Sequence, residues 1–221
     1  MLLYSGPLSL FSRKVEIALY EKDLRFERVM VPFTQAAGYS PKHPMVLAAN
    51  PKGQVPVLVD GPLTLFDSTV IFEYLEDAYK QPPLYPAGAA ARARCRLLEL
   101  TADEILLPPL RALMTRTTPP DPDPERQRAR EAEAARGEAA LRDLYGRLEE
   151  RLDGRDYFCG RFSVADIGVF MSLLWSLRLR GPTLDAHPDL ARWYARVGAR
   201  PSAARAAAEI AAADRDLSPA I

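Results

Sequence analysis

The sequence predicts an α/β domain with a mixed sheet over residues 1–80, followed by an all-helical domain over residues 89–221. Short apolar runs with strand character occur only in the first of these parts. Residues 81–88 are rich in proline and show no periodicity, which is typical of a linker between domains. The part after the linker has helical spacing and no convincing strand. A chain of 221 residues is long enough for two domains of ordinary size.

The composition is that of a soluble globular protein with no global charge. Lys plus Arg and Asp plus Glu each number 29, so no overall field favours nucleic acid or an anionic membrane as a partner. Cys95 and Cys159 are far apart and lack the spacing of a metal site, so neither a metal nor a disulfide framework is expected. The first residues lack the basic and apolar segments of an export signal, which predicts a cytoplasmic protein.

Alternation and helical spacing predict the elements of the first domain in chain order. Residues 2–4 form a buried strand, residues from 11 onward form a helix, and residues 26–31 form a second strand. An irregular stretch follows up to residue 44. Two further predicted strands form a hairpin, and a helix then runs to about Tyr79. These two strands cover residues 55–59 and 63–66.

Two serines lie at the start of the first predicted helix. Ser9 falls in the loop before the helix and Ser12 in its first turn. A helix N-terminus has unpaired N–H groups and the positive end of the helix dipole, so it stabilises anions and thiolates. Ser9 is also a suitable N-cap residue. The residues alone leave both roles open for Ser9.

The predicted hairpin contains a proline where a strand residue should donate a hydrogen bond. Pro56 has no N–H, and a cis Val55–Pro56 bond would accommodate it. We expect this arrangement to turn the backbone N–H and C=O of Val55 away from the sheet, free for a peptide-like ligand. Asp67 and Ser68 follow the hairpin at the start of the next helix, where they are either caps or ligand-binding residues.

Two motifs resemble those of cytosolic glutathione transferases. Residues 50–58 read Asn-Pro-x-Gly-x-Val-Pro-x-Leu, the most recognisable run of that family. Residues 9–19 are similar to the Ser-x-x-Ser-x-Lys-Val-x-x-Ala-Leu signature of its serine-type bacterial members. The resemblance implies a thioredoxin-like N-terminal domain with a cis-proline, a helical-bundle C-terminal domain, and glutathione as co-substrate without a metal.

The resemblance also implies roles for individual residues. Ser9 would donate a hydrogen bond to the glutathione sulfur, with Ser12 as a weaker candidate. Val55, next to Pro56, would pair with the cysteine backbone of glutathione. The remaining contacts would hold its two ends: Asp67 and Ser68 the γ-glutamyl end, and Gln54 and Lys42 the glycine end.

The implied reaction is conjugation of the glutathione thiolate to a small hydrophobic electrophile. Four residues are predicted to line the electrophile pocket: Leu10, Phe11, Leu107 and Arg111. Relatives are usually homodimers, so a homodimer is expected here, with no nucleic acid or membrane as partner.

The second domain contains one clear folding motif. Ser163 and Asp166 have the spacing of a capping box, at the start of an almost entirely apolar helix over residues 164–179. We therefore interpret Asp166 as structural and the helix as the centre of the domain. The other predicted helices share helical spacing of apolar residues. They cover residues 89–107, broken at Pro108 and Pro109 with a continuation over 110–115 after a kink, then 125–152, a segment around 190–197, and a short helix from 201.

Two alternatives to a conjugating enzyme stay open. One is a noncatalytic member of the superfamily that resembles stringent starvation protein A, which binds RNA polymerase. Residues 5–7 and 82–86 are similar to that group, but its Pro-His-Pro motif would fall at residues 80–82, where only Pro82 matches. The other is a glutathione-dependent peroxidase, isomerase or dehalogenase.

Overall fold

The computed structural model describes residues 1–218, and the described chain divides into two compact units. The first unit consists of Met1–Tyr85 together with Pro201–Ser218, and the second lies within Pro86–Arg200. The predicted order, a sheet with helices followed by a helical domain, is confirmed.

The first unit contains a mixed four-stranded sheet with the strand order β2-β1-β3-β4. Its strands are β1 (Leu2–Ser5), β2 (Glu27–Met30), β3 (Val57–Asp60) and β4 (Leu63–Phe66). Strand β1 pairs in parallel with β2 and antiparallel with β3, and β3 pairs antiparallel with β4. Strand β3 begins two residues later than the sequence predicted, because Pro56 has no N–H for the ladder.

The described chain has helices in both units. They are α1 (Leu10–Glu21), α2 (Pro44–Ala49), α3 (Ser68–Ala78), α4 (Ala89–Leu100), α5 (Leu107–Leu113), α6 (Pro124–Leu152), α7 (Val164–Arg178), α8 (Pro188–Gly198) and α9 (Pro201–Leu217). A π-helical turn, Thr101–Leu106, joins α4 to α5, and a 3-10 turn, Met114–Thr117, follows α5. Pro108 and Pro109 lie in the first turn of α5, where a helix does not need their N–H groups, so the chain is helical on both sides of the two prolines.

Helix α9 belongs to the first unit, although its place in the sequence predicted that it is part of the helical domain. Glu209 on α9 forms ion pairs with Arg13 on α1 and Arg28 on β2, each at 2.5 Å. Arg13 and Arg28 also pair with Glu16, which is buried, at 2.7 and 2.8 Å. These contacts join residues almost 200 positions apart, and no local pattern in the sequence indicates them.

The segment predicted as the start of the linker is attached to the first unit by a buried lysine. The Lys22 ammonium donates to Glu76 at 2.9 Å, to the Tyr79 carbonyl at 2.7 Å and to the Pro82 carbonyl at 3.0 Å. Glu76 also accepts a hydrogen bond from the backbone N–H of Leu84 at 2.9 Å. The first unit consequently extends to Tyr85.

Helix α7 is the buried centre of the second unit, as the sequence predicted, and it begins with the predicted capping box. The Asp166 carboxylate accepts hydrogen bonds from the backbone N–H and hydroxyl of Ser163, both at 3.0 Å. It also accepts from the Phe158 N–H at 3.1 Å and the Trp193 indole N–H at 2.8 Å. Asp166 therefore connects α7 to the preceding loop and to α8.

Among residues 1–218, no helix combines the length and the apolar character needed to cross a membrane.

Candidate functional site

The sheet register brings three predicted site segments to one end of the sheet. Tyr4 on β1 is level with Val57 on β3, and Val57 is level with Phe66 on β4. Because β3 runs opposite to both neighbours, the ends of β1 and β4 and the beginning of β3 share one edge. The chain leads from this edge to Ser9, back to Val55 and on to Asp67.

Ser9 is the N-cap of α1, and its geometry leaves its hydroxyl proton available. The Ser9 oxygen accepts a hydrogen bond from the Ser12 backbone N–H at 3.2 Å. The side chain has no acceptor for its own proton among the described residues. Ser9 is 7% exposed. A hydroxyl both accepts and donates, so capping the helix and donating to a ligand are compatible roles.

Ser12 differs from Ser9 in that its hydroxyl has no hydrogen-bond partner at all within residues 1–218. The side chain is fully buried in the first turn of α1. A buried hydroxyl without a partner costs free energy, so Ser12 does not stabilise α1 through its side chain.

Val55 presents an unpaired stretch of backbone at the same edge. The Val55–Pro56 peptide bond is cis, Pro56 is buried and Val55 is half-buried. No hydrogen bond to the backbone N–H or C=O of Val55 occurs among the described residues. Backbone groups of this kind are satisfied by water or by a ligand.

Asn50 supports this loop, a role that the sequence analysis did not assign although Asn50 opens the motif. Its amide nitrogen donates to the Gln54 carbonyl at 2.8 Å, and its oxygen accepts from the Lys52 N–H at 2.9 Å. Asn50 is almost fully buried, while the Gln54 side chain is exposed. Asn50 therefore fixes the backbone from which Gln54 and Val55 project.

Lys42 lies beside the same loop. Gly53 has a positive φ of 58°, and a Cβ added there would lie 3.5 Å from the Lys42 Cγ and Cδ atoms. The Lys42 side chain is otherwise exposed. The aliphatic part of the Lys42 side chain thus lies beside Gly53.

Asp67 and Ser68 form the N-terminus of α3. One oxygen of the exposed Asp67 carboxylate accepts from the backbone N–H groups of Thr69 at 3.0 Å and Val70 at 3.3 Å. Asp67 has a φ of 75°, a conformation that is uncommon for residues other than glycine and is often found at ligand-binding positions. Ser68 is buried. Asp67 thus caps α3 and keeps its second oxygen without a partner among residues 1–218.

The four residues predicted for an electrophile pocket differ in exposure. In the first unit, Leu10 is 5% exposed and Phe11 is half-buried. In the second unit, Leu107 is 7% exposed and Arg111 is exposed. Leu10 and Leu107 therefore offer little surface to a ligand, and the pocket stays a prediction.

Taken together, this end of the sheet offers a hydroxyl proton at Ser9, unpaired backbone groups at Val55, two helix N-termini and the Asp67 carboxylate, and the exposed side chain of Lys42 lies beside the same loop. Such a set of groups suits a small peptide-like ligand that carries both charges and an acidic group to be stabilised as an anion. Within residues 1–218 there is no group of three or more His, Cys, Asp or Glu side chains that could hold a metal ion.

Comparison with protein families also finds two domains in the chain. Residues 3–83 match the family described as glutathione S-transferase, N-terminal domain. Residues 107–201 match the one described as glutathione S-transferase, C-terminal domain.

Curated relatives fall into two groups. Glutathione S-transferase 3 of Zea mays is 32% identical over 216 residues, which cover 94% of this chain and 93% of the relative. A stringent starvation protein A homolog of Coxiella burnetii is 43% identical over 98 residues, which cover 44% of each chain. The chain spans about half the length of the stringent starvation protein A homologs that it matches.

Solved structures of similar fold include a glutathione S-transferase from Rhodospirillum rubrum F11. It has a TM-score of 0.80 and 29% identity, and covers 93% of this chain and 90% of its own. A sphingomonad glutathione S-transferase complexed with glutathione has a TM-score of 0.71 and 27% identity, with coverage of 96% and 99%.

Proposed function

Since the chain belongs to the glutathione S-transferase family, we propose that it is an enzyme that conjugates the thiolate of glutathione to a small hydrophobic electrophile. The observation that carries this proposal is the arrangement at one sheet edge. There, the Ser9 hydroxyl proton and the Val55 backbone groups have no partner among the described residues. The glutathione complex of the sphingomonad relative supports the same ligand.

The proposed ligand contacts follow from the chemistry of each group. The N–H and C=O of Val55, beside Pro56, pair with the backbone of the central cysteine of glutathione. Asp67 accepts from the γ-glutamyl ammonium, and the Ser68 N–H at the start of α3 donates to the neighbouring carboxylate. At the other end, Gln54 and Lys42 hold the glycine carboxylate.

The proposed catalytic role of Ser9 is to donate a hydrogen bond to the sulfur. When bound, glutathione supplies the thiol that becomes the nucleophile. A hydroxyl is too weak an acid and base to remove the thiol proton near neutral pH, so Ser9 acts by stabilising the anion. Lowering a thiol pKa from about 8.5 by about two units requires roughly 2.7 kcal/mol. One hydrogen bond to a charged group together with the α1 N-terminus provides that amount.

Calorimetric titration with glutathione tests the proposal. We compare the wild-type protein with Asp67→Asn, which keeps an N-cap acceptor at α3 but removes the negative charge. Loss of the hydrogen-bonded charge is expected to weaken binding by about 10-fold or more. Asp77→Asn is the matched control, because Asp77 is an exposed carboxylate in the last turn of the same helix, far from its N-terminus.

Two results of the titration would contradict the proposal. Equal affinity of the wild type and Asp67→Asn would mean that Asp67 does not hold the ligand. Absence of binding to the folded wild-type protein would exclude glutathione conjugation as its activity.

A second candidate function is a noncatalytic binding protein like stringent starvation protein A, with RNA polymerase as the partner. The 43% identity to the Coxiella burnetii homolog over 98 residues favours it. The free groups at the sheet edge support the enzyme instead, because they offer hydrogen-bond partners to a bound peptide-like ligand. Co-migration with RNA polymerase in gel filtration, together with no heat of binding for glutathione, would select the second candidate.

We also propose a homodimer that forms through an apolar strip on the second unit. Leu97, Leu100 and Ile105 are 55%, 50% and 50% exposed, and they lie on α4 and the π-helical turn. Exposed large apolar residues close together are typical of protein interfaces. Sedimentation should show a dimer for the wild type and a monomer for Leu97→Glu with Leu100→Glu. An unchanged mass for this variant would mean that the strip is not the interface.

A further inference from the structure

The first unit contains a cavity of about 500 Å³ at the end of the sheet opposite to the proposed glutathione site. It lies where α1 ends and β2 begins, next to α9. Glu27 at the start of β2 is level with Leu2 at the start of β1, whereas Ser9 follows the end of β1. The cavity is lined by two aromatic rings, one leucine and three arginines, which are Tyr20, Leu24, Arg25, Phe26, Arg28 and Arg205.

One wall of the cavity consists of two aromatic rings and a guanidinium group in contact. The guanidinium carbon of Arg205 lies 4.5 Å from the centroid of the Tyr20 ring. The centroids of Tyr20 and Phe26 are 5.2 Å apart, with 48° between the ring planes. Both rings are half-buried. The wall therefore offers partly exposed aromatic surface that is held in place by packing between α1, α9 and the start of β2.

The three arginines of the lining have more N–H donors than nearby acceptors. A guanidinium group has five donors. Nη1 of Arg28 donates to Glu16 at 2.8 Å and to Glu209 at 2.5 Å, and Nε of Arg205 donates to Glu209 at 3.1 Å. The other guanidinium nitrogens of Arg28 and Arg205 have no acceptor within residues 1–218, and neither has any of those of the exposed Arg25.

The neighbouring carboxylates fix the arginines without neutralising them. Glu16 is buried, and neither Glu16 nor Glu209 belongs to the lining. Arg13 pairs with the same two carboxylates. With the three arginines of the lining, four guanidinium groups stand against two carboxylates, so this cluster has an excess of two positive charges. The cavity is consequently an electropositive site beside aromatic rings.

We propose that this cavity binds a nucleoside monophosphate, with the phosphate on the guanidinium groups and the base against Phe26 and Tyr20. The planar fork of an arginine matches two phosphate oxygens at once. Nucleic-acid bases stack on aromatic side chains and on guanidinium planes. The volume lies within the range of about 300–1,000 Å³ that is typical of small-ligand sites.

Both parts of the ligand are needed to use both parts of the cavity. An uncharged aromatic molecule would leave the guanidinium donors without an acceptor, and an inorganic anion would leave the aromatic wall without a partner. A molecule that combines a phosphate with a planar ring satisfies both. The site is separate from the proposed glutathione site and does not depend on it.

Calorimetric titration of the full-length protein with adenosine monophosphate at low ionic strength tests the inference. Saturable binding at one site is expected, with a Kd below about 1 mM. Adenosine and inorganic phosphate should each bind about 10-fold more weakly or worse, because each lacks one of the two interactions. The affinity for adenosine monophosphate should be the same in excess glutathione, because the two sites lie at opposite ends of the sheet.

Two variants assign the contacts. Arg25→Gln should weaken binding of adenosine monophosphate by about 10-fold or more, and the exposed Arg25 makes no contact that the fold needs. Phe26→Leu should weaken it by about 5-fold or more through loss of stacking. Arg136→Gln is the matched control, since Arg136 is an exposed arginine on α6 in the second unit, and its affinity should equal that of the wild type.

Several results would overturn the inference. No heat of binding for adenosine monophosphate would exclude the ligand, and equal binding of adenosine or of inorganic phosphate would exclude a site that uses both groups. Competition by glutathione would place the nucleotide in the wrong site. Equal losses in Arg25→Gln and Arg136→Gln would mean that the nucleotide is attracted by charge without a defined cavity.

Discussion

The Ser9 hydroxyl oxygen accepts a hydrogen bond from the backbone N–H of Ser12 at 3.2 Å. The residue proposed to donate a hydrogen bond to the glutathione sulfur is therefore also the N-cap of α1. The two functions use different atoms of one hydroxyl group: the oxygen caps the helix and the hydrogen is free to bind the sulfur. A substitution at Ser9 therefore affects stability and catalysis together, and the two effects must be measured separately.

Ser9→Ala should lose both functions. We expect a stability loss of about 1 kcal/mol from the missing cap. We also expect a roughly 10–100-fold lower conjugation rate, because one hydrogen bond to the thiolate is worth about 1.5–3 kcal/mol. The thiol pKa of bound glutathione, measured from the ultraviolet absorbance of the thiolate, should rise while the affinity changes less. A normal thiol pKa in a destabilised variant would leave Ser9 with the capping role alone.

Ser12→Ala should be neutral or stabilising by up to about 1 kcal/mol, because the buried hydroxyl it removes has no partner and alanine favours helices. The Ser12 N–H, which contacts Ser9, is kept. Urea titration measures the stability, and conjugation assays measure the activity of the same samples. A large fall in rate without loss of stability would transfer the sulfur contact from Ser9 to Ser12.

Asp166→Asn should destabilise the second unit by roughly 3 kcal/mol or more, although the substitution conserves size. Four donors surround the Asp166 carboxylate, and an amide nitrogen placed there would face a donor instead of accepting from it. Burial, opposed by hydrogen bonds from Trp193, Phe158 and Ser163, raises the pKa of this carboxyl to about 6. Thermal and urea unfolding measure the loss, and a change below about 1 kcal/mol would show that the network does not stabilise the fold.

The ion pairs of Glu209 should make the attachment of α9 sensitive to acid. Burial opposes ionisation of Glu209, but hydrogen bonds from Arg28, Arg13 and Arg205 outweigh it and lower its pKa to about 2. A carboxyl whose pKa falls on folding stabilises the native state above its unfolded pKa, near 4.5, and this contribution disappears as the pH falls toward 2.

Glu209→Gln provides the measurement. The difference in unfolding free energy between the wild type and this variant should be largest near pH 6 and should shrink between about pH 4.5 and pH 2. Glu131→Gln is a matched control, since Glu131 is an exposed carboxylate on α6, in the second unit. A difference that stays constant with pH would show that the stabilising effect of Glu209 does not depend on its charge.

Local patterns in the sequence predicted most of the elements, because helices and strands are encoded by nearby residues. The spacing of Ser163 and Asp166 predicted the start of α7, and the apolar residues that follow predicted that this helix is buried. Helix α2 was not predicted, since it has six residues and buries only Val46. So short an element depends on its neighbours for stability rather than on its own periodicity.

The candidate site was predicted as residue types and motifs, but its geometry needed the sheet register. The sequence indicated Ser9, Val55 and Asp67 separately, and only the antiparallel pairing of β3 with β1 and β4 explains why all three lie at one edge. The support of the loop by Asn50 was not predicted, because its hydrogen bond to the Gln54 carbonyl depends on a turn conformation that the residue types do not specify.

The sequence by itself determined the order and class of the elements, the family resemblance and the identity of the candidate ligand-binding residues. These depend on periodicity, capping and turn chemistry, all of which act over a few neighbouring positions. Only the tertiary structure decided that α9 joins the first unit through Glu209, which pairs with Arg13 and Arg28. Such contacts join residues far apart in the chain, and they form where packing brings two surfaces together, which no local pattern records.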